Sequence, residues 1–452
     1  MKKIEKIKYL IIGNSAGGIG AAEAIHEVDK VGTIAIVSDE PYSAYSRPLI
    51  SEFLANRCSL EKMLFRPADF YDKNNILAIM GRKTTELNTD KHAIKLDDSR
   101  TITWDKLLLA TGGLPIVPQI AGINMQGVFT FTKLDDAKAI DKFLRSYNRS
   151  NKREVRAVVI GGGLIGVSVT EALVRRGIKV TIIEMKERIL NTILDKEASA
   201  LEAASLKEAG VKIITGRTVD KLGSYVPGEV TSVTLDDGHP VPCGLVIIAI
   251  GVQPRIEIAS GTGIKTNRGI VVDRHMATSS PDVYACGDVV ESYDFTYGNN
   301  RVTPIWPNAY TGGRVAGLNM AGVPTKYQGS TALNSMKYFG TNIVSAGIVI
   351  PPDDSYETIS IKKDGIYRKV VIKGGQISGI VFAGDIDKAG IIYNLMKDRV
   401  NVSSFKDILV ADDFGLASLP EEIWRPRLAV LPSPLVSPRT RAEQPKEALV
   451  GE

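Results

Sequence analysis

The stretch KYLIIGNSAGGIGAAEAI, Lys8 to Ile25, joins a short apolar run to a glycine-rich turn and then to a helix-like segment of small residues. A second stretch, AVVIGGGLIGVSVTEAL from Ala157 to Leu173, repeats that layout. In each, a predicted strand runs into glycines whose bare backbone N–H groups can approach an anion, and a helix opens with its positive end toward the same point. A pyrophosphate fits such a turn. The run TIAIVSDE carries Asp39 and Glu40 after the first loop, and KVTIIEM carries Glu184 after the second. An acid at that distance meets the hydroxyl pair of a ribose. One glycine pattern alone says little. Strand, glycines, helix, strand and acid in order, and then again, predict two bound dinucleotides.

The chain has 452 residues and a formal net charge of +5. That length implies two or three domains with real cores, and the charge is small and dispersed, which argues against nucleic acid as the main partner. Cys58, Cys243 and Cys286 stand far apart, with no CxxC or CxxxxC pair, so a disulfide framework is not expected and a reducing, cytoplasmic setting is. The opening MKKIEKIKYLIIG has too short an apolar core for a secretory signal and reads as a charged lead-in to a first strand. No stretch approaches the roughly 18 apolar residues that a membrane span needs. His26, His92, His239 and His275 are scattered, so no metal site is expected.

The predicted fold class is α/β, with two Rossmann-like units and a smaller α+β unit. The first unit covers residues 1–120 and resumes at 253–330, where GIVVD and TSSPDVYACGD return to its style. Residues 121–252 form the second unit as an insertion. Residues 331–425 read as alternating strands followed by the helix DKAGIIYNLMKD. Residues 426–452, dense in proline, serine and charge, read as a flexible tail.

ATGGLP at Ala110–Pro115 and TSSPDVYACGD at Thr278–Asp288 accompany the two glycine loops in the order in which the pyridine nucleotide-disulfide oxidoreductases carry them. The chain resembles that superfamily of two-dinucleotide flavoproteins, with the glutathione reductase-like FAD/NAD(P) fold, from residue 6 to about 425. The resemblance implies FAD on the first unit and NAD(P)H on the second. Gly13, Ser15, Ala16, Gly17 and Gly18 match the FAD loop, with serine where a second glycine is usual. Asp39 or Glu40 matches the acid for the adenosine ribose, Thr84 a strand passing the adenine, and Ala110, Thr111 and Gly112 the loop that returns to the flavin. Gly287 and Asp288 match the motif that holds the ribityl chain. Gly161, Gly163, Leu164, Ile165 and Gly166 match the nicotinamide-nucleotide loop, with Ile250 and Gly251 beside it. Glu184 favours NADH over NADPH, because a 2′-phosphate would be repelled. Ser168 stands where the family often has a glutamate.

Where the disulfide-reducing branches of the superfamily carry redox cysteines, this chain reads PYSAYSRPLISEFLAN, Pro41 to Asn56, without one. Thiolate chemistry is therefore not expected. Ser46 and Arg47 in that stretch, and Trp306 in PIWPNAYTGG, are similar to the reductases of ferredoxins and rubredoxins and to the flavin portion of nitrite reductases. Arg47 would meet the FAD phosphates or the flavin edge, and Trp306 would lie over the flavin. The resemblance implies an enzyme passing electrons from NADH through FAD to a ferredoxin, a rubredoxin or an iron-sulfur partner subunit, or in the reverse direction. An oxidase or quinone-type reductase, with the C-terminal unit serving a homodimer, remains open, as does a flavoprotein that only senses nucleotide.

Overall fold

Three principal sheets carry the fold of the computed structural model, which describes residues 6–150 and 155–428. The first has parallel strands in the order Ile76–Met80, Ile34–Ser38, Ile7–Ile12, Thr101–Leu109 and Val283–Ala285. The three middle strands are rich in apolar residues because helices and loops cover both faces, and Ile34–Ser38 is buried at every position. The last strand arrives from far along the chain and pairs Val283 with Leu107, so residues before and after the second glycine loop share one sheet. From the other end of Thr101–Leu109 an antiparallel arm, Ala93–Leu96 and Thr84–Asn88, extends the same sheet.

The second sheet is also parallel: Lys212–Thr215, Lys179–Glu184, Arg156–Ile160, Leu245–Ile248 and Val128–Thr130. The segments that leave and re-enter the first unit, Gly113–Pro115 and Val252–Pro254, pair antiparallel with each other. The second sheet thus hangs on a two-stranded neck. Its strands alternate with helices Leu164–Arg175 and Lys196–Glu208, the latter capped by Asp195, whose carboxylate accepts the Ala198 N–H at 3.2 Å.

The third sheet is antiparallel, in the order Leu333–Tyr338, Thr341–Gly347, Gln376–Ala383, Ile366–Lys373 and Glu357–Lys363, with helix Ala389–Lys397 packed on it. Four of these strands are the expected ones. Leu333–Tyr338 is an addition; its burial alternates, but Asn334 takes one of the buried positions, so the sequence LNSMKY shows no apolar period that would announce a strand. Helix Glu421–Leu428 runs through Pro426, past the point where a tail was expected; residues 429–452 lie outside the described part of the chain.

Glycines set the distance between the two helices that flank the first loop. A Cβ on Gly313 would stand 2.0 Å from the Gly17 carbonyl oxygen, and one on Gly317 would stand 2.5 Å from that of Ala21. Helix Ala16–Val28 and helix Trp306–Met320 therefore touch backbone to backbone, and both begin at the same cleft.

Candidate functional site

One continuous cavity of about 1880 Å³ runs from the first glycine loop to the second. A single drug-sized ligand fills roughly 300–1,000 Å³, so this cleft is large enough for two. Along its first half lie Gly13, Ser15, Ala16 and Gly17, Asp39 and Glu40, Arg47, Thr84, Ala110 to Gly112, Gly287, Asp288 and Trp306. Along its second half lie Gly161, Gly163, Leu164, Ile165, Glu184, Ile250 and Gly251.

The two loops have the same internal geometry, and it fits the group each is expected to hold. Gly13 and Gly161 have φ of 122° and 105°, and a Cβ on either would collide with a carbonyl oxygen across the sheet, Ala110 at 2.0 Å or Ala249 at 2.4 Å. Gly18 and Gly166 do not line the cavity. Each seats its helix on the strand before it, with a would-be Cβ 1.9 Å from the oxygen of Gly13 or Gly161. Between them a Cβ on Gly163 would meet nothing within 4 Å, and the corresponding residue of the first loop is Ser15, the N-cap of its helix, whose side chain makes no capping bond. That open room in front of helix N-termini is a cradle for phosphate.

The acids are not equivalent. Strand register pairs Ile12 with Val37 and Ile160 with Ile183, so the position matching Glu184 in the first unit is Ser38, one and two residues before Asp39 and Glu40. Glu184 is buried and pinned, its two oxygens accepting the N–H groups of Gly162 at 2.7 Å and Lys186 at 2.8 Å. Glu40 is also buried, but it accepts the Tyr45 hydroxyl at 2.6 Å and pairs with Arg47, so its carboxylate is committed within the wall. Asp39 keeps 40% of its side chain exposed and pairs with Arg255 at 2.8 Å. Burial pushes Asp39 up, but the Arg255 guanidinium, with Lys133 and Arg47 adding to it, leaves the carboxyl below its usual range.

Arg47 sits in the cleft wall, donating to the Thr132 carbonyl at 3.2 Å as well as pairing with Glu40. Asp288, at a short 3-10 turn, is pushed up by burial, while Arg47 opposes the shift. Thr84 has a buried hydroxyl with no partner, aimed at nothing in the protein and lining the cleft. Ser46 does not line it; its N–H bonds the Met63 carbonyl. Trp306 is half-buried at the first turn of its helix, edge-on to Phe65 with ring centroids 5.2 Å apart.

No cysteine offers a thiolate to the cleft. Burial pushes Cys286 up to about 12, with Asp288 adding to it, and burial pushes Cys243 up to about 12. Cys286 does line the cavity, wedged against the first loop so closely that a Cβ on Gly17 would come 2.7 Å from its sulfur. Among the described residues no cluster of His, Cys, Asp and Glu is arranged for a metal, and no helix is long and apolar enough to cross a membrane.

The third sheet also reaches the cavity, through Asn334, Met336 and Tyr338. Lys133 and Asp136 at the start of helix Leu134–Ser150, and Lys186 and Arg217 near Glu184, complete wall positions that no motif marks.

The family model for pyridine nucleotide-disulphide oxidoreductases matches residues 7–313, and the model for the rubredoxin NAD+ reductase C-terminal domain matches residues 333–400. The epsilon subunit of an NADH-dependent phenylglyoxylate dehydrogenase from Aromatoleum evansii is 30% identical over 429 residues, covering 94% of this chain and 100% of that one. An assimilatory nitrate reductase electron transfer subunit from Bacillus subtilis is 29% identical, and the chain spans only 52% of its length. In three dimensions the putidaredoxin reductase of a covalent putidaredoxin complex matches with a TM-score of 0.82 at 25% identity, over 93% of this chain and 98% of that one.

Proposed function

This chain belongs to the pyridine nucleotide-disulphide oxidoreductase family, and from that premise we propose a division of labour within its cleft. It is an FAD-dependent NAD(P)H oxidoreductase of the branch that serves protein electron carriers. FAD held in this cleft would supply hydride acceptance from NADH and onward release of electrons, chemistry that belongs to the cofactor.

The chain's own residues bind, orient and shield. Ser15 to Gly17 present the helix N-terminus to the FAD pyrophosphate, Asp39 takes the adenosine ribose, the free hydroxyl of Thr84 faces the adenine end, and Asp288 holds the ribityl chain. Arg47, fixed by Glu40 and Thr132, supplies a positive charge at the flavin edge. Gly161 to Ile165 present the second helix N-terminus to NADH. Glu184 holds its ribose, and as a pinned anion it disfavours a 2′-phosphate. The working division is residues 1–120 with 253–330 for FAD, 121–252 for NADH and 331–425 for the carrier side. The protein is placed in the cytoplasm, where its three free thiols would stay reduced.

The observation that carries this reading is the single cavity joining two loops of the same geometry with no thiolate between them. A flavin held there would have no thiol relay beside it, and the acceptor we propose is an iron-sulfur or rubredoxin-like protein, or such a partner subunit. Steady-state assays test it. NADH-driven reduction of a ferredoxin or rubredoxin is expected to outrun peroxide release in air, whereas peroxide release at the same rate would favour the oxidase.

A further inference from the structure

Behind the cleft wall three parts of the chain meet on helix Leu164–Arg175. Its Glu171 accepts at 2.9 Å the N–H of Phe339, in the turn that joins strands Leu333–Tyr338 and Thr341–Gly347, and pairs with Arg175 at 2.8 Å; Arg175 in turn reaches Glu52, in the Pro41–Asn56 stretch, at 3.0 Å. Against this knot lies Glu202 of helix Lys196–Glu208. It has no solvent exposure, and neither of its oxygens has a hydrogen-bond partner. A carboxylate left so would be costly, and a neutral carboxylic acid is the form that such a place accepts.

The surroundings offer it little compensation. Helix Leu164–Arg175 presents Glu171, whose anion repels, and Arg175, already shared between two carboxylates. Strand Leu333–Tyr338 presents Tyr338. Strands Thr341–Gly347 and Gln376–Ala383, which pack on the same helix, contain no titratable residue. Strand Ile366–Lys373 brings Lys369 and Tyr367, but both are bound to Asp195 at the helix cap, at 2.9 and 2.6 Å. Strand Lys212–Thr215 carries only the exposed Lys212. Burial, with the Glu171 charge adding to it, pushes Glu202 up to about 8.

The junction touches the cleft through Tyr338, which feels both glutamates and lines the cavity together with Ser168. We propose that Glu202 couples one proton to nucleotide binding: protonated, it lets the three parts close on the cleft wall, and ionised, it loosens the wall and weakens the hold on a dinucleotide. A second anion beside Glu171 competes for Arg175, strains the Phe339 contact and so shifts the adjoining Tyr338 in the cavity wall. The dinucleotide brings its own negative charge to the cavity that Tyr338 lines, so it binds better to the neutral form. By reciprocity, binding raises the proton affinity of Glu202. Glu202 is a positioning residue, since it acts through Tyr338 and touches no ligand.

This inference rests on a dinucleotide occupying the second loop. Its test uses the oxidised, flavin-loaded full chain and NAD+ as the probe. The dissociation constant is expected to be flat below about pH 7 and to climb above about 8, approaching tenfold per unit for one linked proton. Glu202→Gln should bind at the wild type's low-pH strength and lose the climb. Calorimetry of the wild type in two buffers of different ionisation enthalpy, near pH 8, should show fractional proton uptake, a readout that does not depend on the variant folding. A flat wild-type profile, zero uptake, or a climb that survives in Glu202→Gln overturns the coupling. NAD+ binding at no pH would overturn the reading of the second loop itself.

Discussion

Gly18→Ala is expected to give a folded protein that does not retain flavin. The new Cβ would stand 1.9 Å from the Gly13 carbonyl oxygen, a backbone atom on the strand beneath, so helix Ala16–Val28 must lift from the sheet. The N–H groups of Ser15 to Gly17 move with it. A misplacement of about 1 Å at a positioning site costs on the order of 10²-fold, and flavin affinity should fall by at least that much. Absorbance of the purified protein and titration with FAD measure it. Gly390→Ala is the control, because a Cβ there meets nothing within 4 Å and the residue lies in a helix remote from the cleft. Equal flavin content in the two variants would mean that the first loop is not the flavin site.

The same substitution in the second loop should separate the two ligands. Gly166→Ala puts a Cβ 1.9 Å from the Gly161 carbonyl oxygen and lifts helix Leu164–Arg175, leaving the first loop untouched. Flavin should stay bound and remain reducible by dithionite. Flavin reduction by NADH should drop by about 10²-fold or more in kcat/KM. Loss of flavin together with loss of NADH reduction would show that the loops are not independent sites.

The two loops were legible because their chemistry is local: strand, bare backbone turn and helix follow one another within a few residues, and the sheets confirm that order. The place of Asp288 in the cleft wall was legible for the same reason, through the unusual run YACGD. The different surroundings of Asp39 and Glu40 were not, since they turn on partners elsewhere in the chain, Arg255 for one and the Tyr45–Arg47 pair for the other. Ser46 matched by position, yet its peptide faces Met63 and away from the cleft. The contribution of Leu333–Tyr338 was hidden as well, because the buried side of this edge strand carries polar Asn334 beside Met336 and leaves no apolar period to read. Glu202 was invisible for a further reason. In EASALEAASLKEAG it looks like any charged residue on a helix, and only the approach of the third sheet and of Glu171 buries it.

The arrangement of paired loops, one cleft and no thiolate makes a claim about the order of events: NADH bound at the second loop reduces flavin bound at the first with nothing between them. Anaerobic rapid mixing of the flavin-loaded protein with NADH tests this most directly. The flavin should bleach without the long-wavelength band of a thiolate–flavin pair. A thiolate–flavin band during reduction, or no bleaching by either NADH or NADPH, would contradict it.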